Sequence, residues 1–266
     1  MVLQAGFSLV ELLVALGIFL IVTGAAFTLL SSSQQRYQTE SQVLTSFQEA
    51  RLALDQIVRD VNDSGYPPPT LTDGVPADSA SSPFAWSLSA GYPSTSCQIA
   101  TGGGGSCTTA TANNTSPGDF DLIIETNPTP QTSPNVSWIR YQLLGTTLYR
   151  GTAPKASGGD PDAATSTQLV PFVQNVINNS SSAQIAQYKL RYPSMFPGGA
   201  PVPIFSYNCD TAAAPSPCPA AVTYNSPVNI RDVVVTLIVS APTPDATTGA
   251  PRIVQLSGRG RRVNPN

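Results

Sequence analysis

An unbroken apolar segment near the start of the chain constrains its fold more than any other feature. Residues 7–30 read FSLVELLVALGIFLIVTGAAFTLL, and Glu11 is their only charged residue. A helix of about 24 residues, rising ~1.5 Å per residue, is long enough to cross the ~30 Å hydrocarbon core of a bilayer. A cleaved secretory signal usually has a shorter apolar core that follows positive charge, whereas MVLQAG precedes this segment. The segment therefore predicts a membrane-spanning helix.

The carboxylate of Glu11 is costly in such a helix. An ionised carboxylate in lipid raises the free energy by several kcal/mol or becomes protonated, so acids inside membrane helices usually have a partner and a function. The simpler alternative is a chance glutamate in a plain membrane anchor.

The helical pattern continues past the apolar segment in amphipathic form. No Gly or Pro occurs between Leu30 and Gly65. Apolar residues recur at steps of three and four, which places them on one helix face. They are Val43, Phe47, Ala50, Leu54, Ile57, Val58 and Val61. Gly65 can end the helix and the prolines after it forbid its continuation, so we predict one helix from Phe7 to about Asn62.

The rest of the chain has the composition of strands and loops. Runs rich in β-branched and aromatic residues are typical of strands and occur at 119–125, 136–144, 146–151, 169–177, 183–192, 229–241 and 252–262. Stretches rich in Pro, Gly and Ser separate them, and 243–251 is predicted to join the last two as a hairpin. The predicted fold class is therefore α+β: a long helix, apolar and then amphipathic, packed on a mainly antiparallel β-sheet head with long loops.

The four cysteines form two close pairs in the sequence, Cys97 with Cys107 and Cys209 with Cys218. Sequence alone permits three pairings, and we favour these local ones because a short loop closes at the least entropic cost. Free thiols are the alternative. Disulfides would place this region outside the cytoplasm.

Composition argues against most enzymatic chemistry. The chain has no His, which removes the commonest general base, the commonest metal ligand and any Ser–His–Asp triad. The nearby acid pairs Asp119/Asp121 and Asp160/Asp162 fit strand and turn positions. Gly102–Gly105 lacks the Gly-Lys-Ser/Thr ending of a phosphate-binding loop. We therefore expect no catalytic residue, no cofactor and no metal site.

The stretch GFSLVEL, residues 6–12, resembles the processing site of type IV prepilins. The resemblance implies that prepilin peptidase cuts after Gly6, that Phe7 becomes an N-methylated N-terminus, and that Glu11 pairs with the N-terminal amine of a neighbouring subunit. Such a pair is strong in apolar surroundings and fixes the axial register. The family's leader usually carries Lys or Arg and MVLQA does not. The orientation in the membrane is then set by other features of the chain, or the true start lies upstream of Met1.

A fainter resemblance covers much of the remaining chain. The stretch RLALDQIVRDVNDSGYPPP, residues 51–69, resembles the end of the long helix in W-class minor pilins and J-class pseudopilins. The matching residues are Arg51, Ala53, Leu54, Arg59, Asp60, Gly65 and Tyr66. The implied division is a prepilin leader at 1–6, a transmembrane and filament-core helix at 7–30, its amphipathic continuation at 31–64 and a globular β-rich head at 65–266.

The resemblance implies a structural minor pilin that acts in initiation of type IV pilus assembly or at the pilus tip. The alternative is a pseudopilin of a type II secretion system, and a weaker one is an anchored adhesin or DNA-binding pilin. The expected partners are prepilin peptidase, the major and other minor pilins, the inner-membrane assembly platform and the lipid bilayer. The expected location is the bacterial inner membrane, with the head outside the cytoplasm, and then the pilus, periplasm or cell surface. The basic run Arg259, Arg261 and Arg262 is small and the net charge is −3, so we expect no nucleic-acid partner.

Overall fold

The computed structural model describes residues 8–68, 80–94, 97–99, 106–107, 116–130, 135–210, 216–218, 225–245 and 249–263. The chain divides into two compact units. One contains the residues up to Thr45 together with Ala241–Arg252, and the other contains Ser46–Ser240 together with the residues from Ile253 onward.

A single helix, α1, runs from Leu9 to Asn62. The prediction of one helix through the apolar and amphipathic segments is therefore confirmed over the described residues. The chain turns at Gly65, whose φ of +79° is a conformation that glycine adopts without steric cost. The amide of Gly65 donates to the carbonyl oxygen of Glu125 at 2.8 Å, which ties the end of the helix to the first sheet.

The strands form two sheets that follow the helix in an antiparallel α+β arrangement. The first sheet has the order β1-β2-β3-β4-β5, and the second has the order β7-β6-β8-β9. The strands are β1 (Phe84–Ala85), β2 (Asp121–Thr126), β3 (Ser137–Leu144), β4 (Thr147–Pro154), β5 (Val170–Val173), β6 (Phe205–Cys209), β7 (Ser216–Pro217), β8 (Ile230–Pro244) and β9 (Pro251–Arg261). This layout is the one expected of a type IV pilin-like fold, although β1, β6 and β7 were not among the predicted strands.

The strand predicted at 183–192 is wrong, because these residues form a helix, α3 (Ser182–Arg191). Ser181 and Gln184 make a reciprocal capping box at its start, and this pattern stabilises a helix N-terminus. Ile185 is the one fully buried residue of this helix. With so few buried residues, the sequence shows no clear helical face, and the run looks like a strand. A second short helix, α2 (Pro161–Ser166), begins at the cap Asp160.

In the second unit, the amphipathic part of α1 supplies one wall of the hydrophobic core. Ala50, Ala53, Leu54, Ile57 and Val61 are buried in the same cluster as the inward-facing residues of both sheets. The two tryptophans, Trp86 and Trp138, also lie in this cluster. The predicted apolar face of the helix is thus the face that packs on the head.

Two glycines of β9 allow the helix to approach this sheet closely. A Cβ atom built at Gly260 would lie 2.5 Å from Cγ1 of Val61, and one at Gly258 would lie 3.0 Å from Cγ2 of Val58. Real Cβ contacts are essentially never shorter than 3.0 Å. A larger residue at Gly260 therefore requires the helix or the strand to move, whereas one at Gly258 requires its neighbours to give by a few tenths of an ångström.

The first unit contains the apolar part of α1 and the turn between β8 and β9. The predicted hairpin at 243–251 is present: the amide of Asp245 donates to the carbonyl of Ala250 at 3.0 Å, and Gly249 supplies a φ of +63°. Asp245 also accepts from Arg252 at 2.8 Å. The hydroxyl of Thr243 donates to Oε1 of Gln42 on the helix at 3.2 Å.

Candidate functional site

The candidate site is the N-terminal end of α1. Gly6 and Phe7, the predicted cleavage pair, lie outside the described residues, so their processing stays a prediction. Ser8 is the first described residue and caps the helix. Its carbonyl accepts from the amide of Leu12 at 3.2 Å, and its Oγ accepts from the amide of Glu11 at 3.3 Å.

Ser8 is a capping residue at the candidate site, and this role was missed in the sequence analysis. The signal was present, because Ser-x-x-Glu before an apolar run is the sequence pattern of a capping box. The first amides of a helix have no partner within the helix, and no water satisfies them inside a bilayer. Ser8 therefore supplies an acceptor where an unpaired amide would be most costly. The same pattern holds the backbone of Glu11 in the first turn, where the helix dipole favours a negative charge.

The first half of the helix presents an apolar surface with a single carboxylate. The large apolar side chains between Leu9 and Leu30 are all at least half exposed. Within the described residues, α1 is the one helix that is long and apolar enough to cross a membrane. Exposure of this much apolar surface to water is unfavourable. The segment is therefore suited to lipid or to a bundle of similar helices.

One polar side chain inside this apolar surface is satisfied by the helix itself. The hydroxyl of Thr28 donates to the carbonyl of Gly24 at 2.8 Å, a contact that removes a donor from the lipid. A Cβ at Gly17 or Gly24 would have no atom within 4 Å, so neither glycine is required by packing within the described chain. Glu11 is the one ionisable group of the segment. In apolar surroundings its carboxylate needs a positively charged or hydrogen-bonding partner.

A buried polar cluster holds the other end of α1 on the head. Asp60, which is 6% exposed, accepts from the hydroxyl of Tyr141 at 2.5 Å, from Arg150 at 3.1 Å and from Gln56 at 2.7 Å. Burial and the neighbouring charge of Asp60 raise the pKa of Tyr141, so the phenol remains a donor well above neutral pH. The cluster joins α1 to β3 and β4 by charge-assisted hydrogen bonds, which are stronger than neutral ones.

The acid pairs noted in the sequence are engaged in structural contacts. Arg140 is fully buried and donates to Asp121 at 2.5 and 3.0 Å and to Asp162 at 2.6 Å. Asp160 caps α2 by accepting from the amide of Asp162 at 3.1 Å. Two carboxylates that share one guanidinium are held in place as hydrogen-bond acceptors. This arrangement matches the strand and turn roles expected for these residues.

A second buried charge pair lies at the other end of β2. Glu125 accepts from Nε1 of Trp138 at 2.9 Å, from the amide of Ser82 at 3.1 Å and from Lys155 at 3.3 Å. Burial raises the pKa of Glu125, against the opposing effect of Lys155. Trp138 and Trp86 are each 1% exposed, so they serve the core and not an exposed aromatic surface.

The structure pairs the cysteines as the local loop-closure argument predicts. Cys97 is bonded to Cys107 and Cys209 to Cys218. The paired cysteines are 10 and 9 positions apart in the sequence, and three of the four contribute to the hydrophobic core.

Residues 1–27 match the family model of the prokaryotic N-terminal methylation motif, which is the type IV prepilin signature. Comparison with curated proteins and with solved structures found no match. The motif supports a protein of the type IV pilin or pseudopilin family. It implies processing by prepilin peptidase and assembly with other pilins, and together with the apolar helix it suggests membrane anchoring and incorporation into a filament.

Proposed function

We propose that this chain is a minor pilin of a type IV pilus. Prepilin peptidase cuts between Gly6 and Phe7, the amine of Phe7 is methylated, and the mature subunit enters the pilus during initiation or at the tip. The role is structural and not catalytic. Its head of some 200 residues is bulky and loop-rich, which suits a low-copy subunit better than one repeated along the whole filament.

The observation that carries the proposal is the exposed apolar half of α1 with one carboxylate in its first turn. This surface is stable in lipid before assembly and in a core of parallel helices afterwards. In that core Glu11 accepts from the amine of Phe7 in a neighbouring subunit. The pair is strong because its surroundings are apolar, and one axial offset satisfies it. An uncut chain has no amine at Phe7, so cleavage would gate assembly.

The partners follow from the same helix. The bilayer and the inner-membrane assembly platform receive the precursor, and the major and other minor pilins pack against the helix in the filament. The head faces away from the cytoplasm, first at the inner membrane and then in the periplasm or at the cell surface. The two disulfides support this location, since they persist in oxidising compartments.

The test is mass spectrometry of the intact protein and its N-terminal peptide, from envelope and sheared-surface fractions. We expect a chain that begins at methylated Phe7 and occurs in both fractions. Glu11→Gln should be processed and held in the membrane yet depleted from the sheared fraction. The matched control is Glu40→Gln, which removes an exposed carboxylate of the same helix outside the apolar segment.

Three results would contradict the proposal. A chain that retains MVLQAG would show that it is no prepilin substrate. Equal amounts of the Glu11 and Glu40 variants in the sheared fraction would remove the assembly role of Glu11. Deletion of the gene that leaves piliation normal but abolishes protein secretion would assign the chain to a type II secretion system.

A further inference from the structure

Two arginines at the end of the second sheet stand next to each other across neighbouring strands. The backbone amide of Arg262, just past the end of β9, donates to the carbonyl of Arg231 on β8 at 3.0 Å. Cross-strand neighbours of this kind place their side chains on the same face of a sheet. Asp210, which follows β6, lies beside both guanidinium groups.

Each of these two arginines has a buried N–H donor without a hydrogen-bond acceptor among the described residues. Arg262, whose side chain is 5% exposed, donates through Nη1 to the carbonyl of Val228 at 2.9 Å. Its Nη2 lies 3.8 Å from Oδ2 of Asp210, and Nη1 of Arg231 lies 3.6 Å from the same oxygen. Both distances are too long for hydrogen bonds. Nε of Arg262 and Nε of Arg231 are buried and have no hydrogen-bond acceptor among the described residues.

This arrangement contrasts with the other buried arginine of the head. Arg140 uses Nε, Nη1 and Nη2 in hydrogen bonds to Asp121, Asp162 and Ser166. A buried donor without an acceptor costs about 1–3 kcal/mol, and more when it is charged. Burial and the adjacent Arg231 both lower the pKa of Arg262, although Asp210 acts in the opposite direction. The Arg231–Arg262 pair therefore has more positive charge and more donors than the described residues around it satisfy.

The neighbouring arginines of β9, Arg259 and Arg261, add no charge to the face of the sheet that carries Arg231 and Arg262. Arg259 and Arg261 form ion pairs with Asp232, which follows Arg231 in β8. Successive residues of a strand point to opposite faces of the sheet, so Asp232 and its two partners belong to the other face. On the face of Arg231 and Arg262, as far as the chain is described, two guanidinium groups share the carboxylate of Asp210.

We propose that Arg231 and Arg262 form a binding site for a phosphate group, taken as inorganic phosphate or as a phosphate monoester. Each arginine offers an edge made of Nε and an Nη group, the geometry that binds an oxyanion through two parallel hydrogen bonds. A carboxylate has two oxygens and satisfies one such edge. A phosphate monoester has three acceptor oxygens and a charge of about −1.5 to −2, so it can bind both edges and offset the excess charge.

Asp210 occupies the approach to this site. Its side chain is 41% exposed and that of Arg231 is 31% exposed, so the carboxylate has room to move into solvent when the phosphate binds. Because its contacts to the arginines are longer than hydrogen bonds, little is lost when it leaves. Removal of its charge should favour phosphate binding. The site does not depend on the proposed filament role, since it involves the head alone.

The test uses the full-length protein in mild detergent and a buffer free of phosphate. Isothermal titration calorimetry with inorganic phosphate, glycerol 2-phosphate and acetate should show saturable binding of at least one phosphate compound and much weaker binding of acetate. Arg231→Lys keeps the charge but lacks the Nε edge, and it should weaken phosphate binding at least ~10-fold. Asp210→Asn should strengthen it, and Arg191→Gln, an exposed arginine of α3, should leave it unchanged.

The two phosphate compounds distinguish the source of the ligand. Tighter binding of glycerol 2-phosphate assigns the site to a monoester carried by a larger molecule, and tighter binding of inorganic phosphate assigns it to the free ion. Lack of saturable binding by both compounds at millimolar concentration would overturn the proposal. So would equal affinity for acetate and phosphate, or equal binding by the Arg231→Lys variant and the parent. Each readout is independent of processing at Gly6, so failure here leaves the proposed function standing.

Discussion

The close contact between β9 and α1 makes a quantitative prediction for Gly260→Ala. The added methyl group would lie 2.5 Å from Cγ1 and 2.6 Å from Cβ of Val61, with the backbone carbonyl of Val58 at 3.2 Å. Val61 is fully buried in the core, so its side chain has no free space into which to turn. Overpacking of this kind costs about 1–3 kcal/mol. The reduced entropy of the unfolded chain returns about 0.4–1 kcal/mol.

We therefore expect Gly260→Ala to lower the free energy of unfolding of the head by about 1–2 kcal/mol. A loss of that size corresponds to a fall in melting temperature of roughly 2–8 °C for a domain of this size. The two tryptophans are both buried in the head, so intrinsic fluorescence during urea and thermal unfolding reports on this unit. The matched control is Gln255→Ala, an exposed position on the same strand, which should change stability by less than ~0.5 kcal/mol.

A double-mutant cycle with Val61→Ala tests the cause. Val61→Ala alone should destabilise by about 2 kcal/mol, through lost burial and the cavity that remains. The same deletion removes the atoms that the new methyl group meets, so the double variant should be more stable than the sum of the single effects by about 1 kcal/mol. Additive effects, or a Gly260→Ala variant as stable as the parent, would refute the close-contact argument.

Three further predictions concern the ends of α1. Ser8→Ala should lower helix stability locally by about 1 kcal/mol and speed exchange of the first-turn amides in micelles, and an unchanged exchange rate would show that Ser8 is not a cap. Asp60→Asn should destabilise the head by about 1–3 kcal/mol, because Arg150 loses its ionic acceptor, and a urea midpoint equal to that of the parent would rule this out. The pKa of Tyr141 is higher in the folded protein than in the unfolded chain. Protonated Tyr141 therefore contributes its full stabilising free energy below the unfolded pKa of ~10, and this contribution is lost as the pH rises through the higher folded pKa. In an absorbance titration to about pH 11, Tyr141→Phe should therefore leave the tyrosinate signal of the folded protein unchanged, and a smaller signal than that of the parent would contradict the raised pKa.

Local patterns were sufficient for the parts of the protein that local physics governs. The apolar run, the spacing of Ala50, Leu54 and Ile57, and the turn at Gly65 depend on residues close in sequence, and each predicts its structure correctly. The nearest-neighbour pairing of the cysteines follows from loop closure, which also depends on sequence separation. The GFSLVEL motif is likewise contiguous, and it carries the functional assignment.

Two of the failures came from overlooking a local pattern, the capping box. The segment at 183–192 looked like a strand, yet the capping box of Ser181 and Gln184 and the burial of Ile185 alone make it a helix. The same capping pattern was overlooked at Ser8, where the apolar run dominated the interpretation.

The tertiary structure alone decided which charges are satisfied and which backbone positions must be glycine. Nothing in the sequence shows that Arg140 meets two carboxylates while Arg262 leaves Nε without an acceptor among the described residues, since the groups around each arginine come from other elements of the fold. Gly260 likewise acquires its constraint from Val61, which lies 199 positions earlier in the sequence. The sequence by itself determines the long helix and its solitary Glu11, because hydrophobic length and helical period are local properties. Close packing and burial of charge are properties of the assembled fold, because both depend on atoms that only folding brings within a few ångströms.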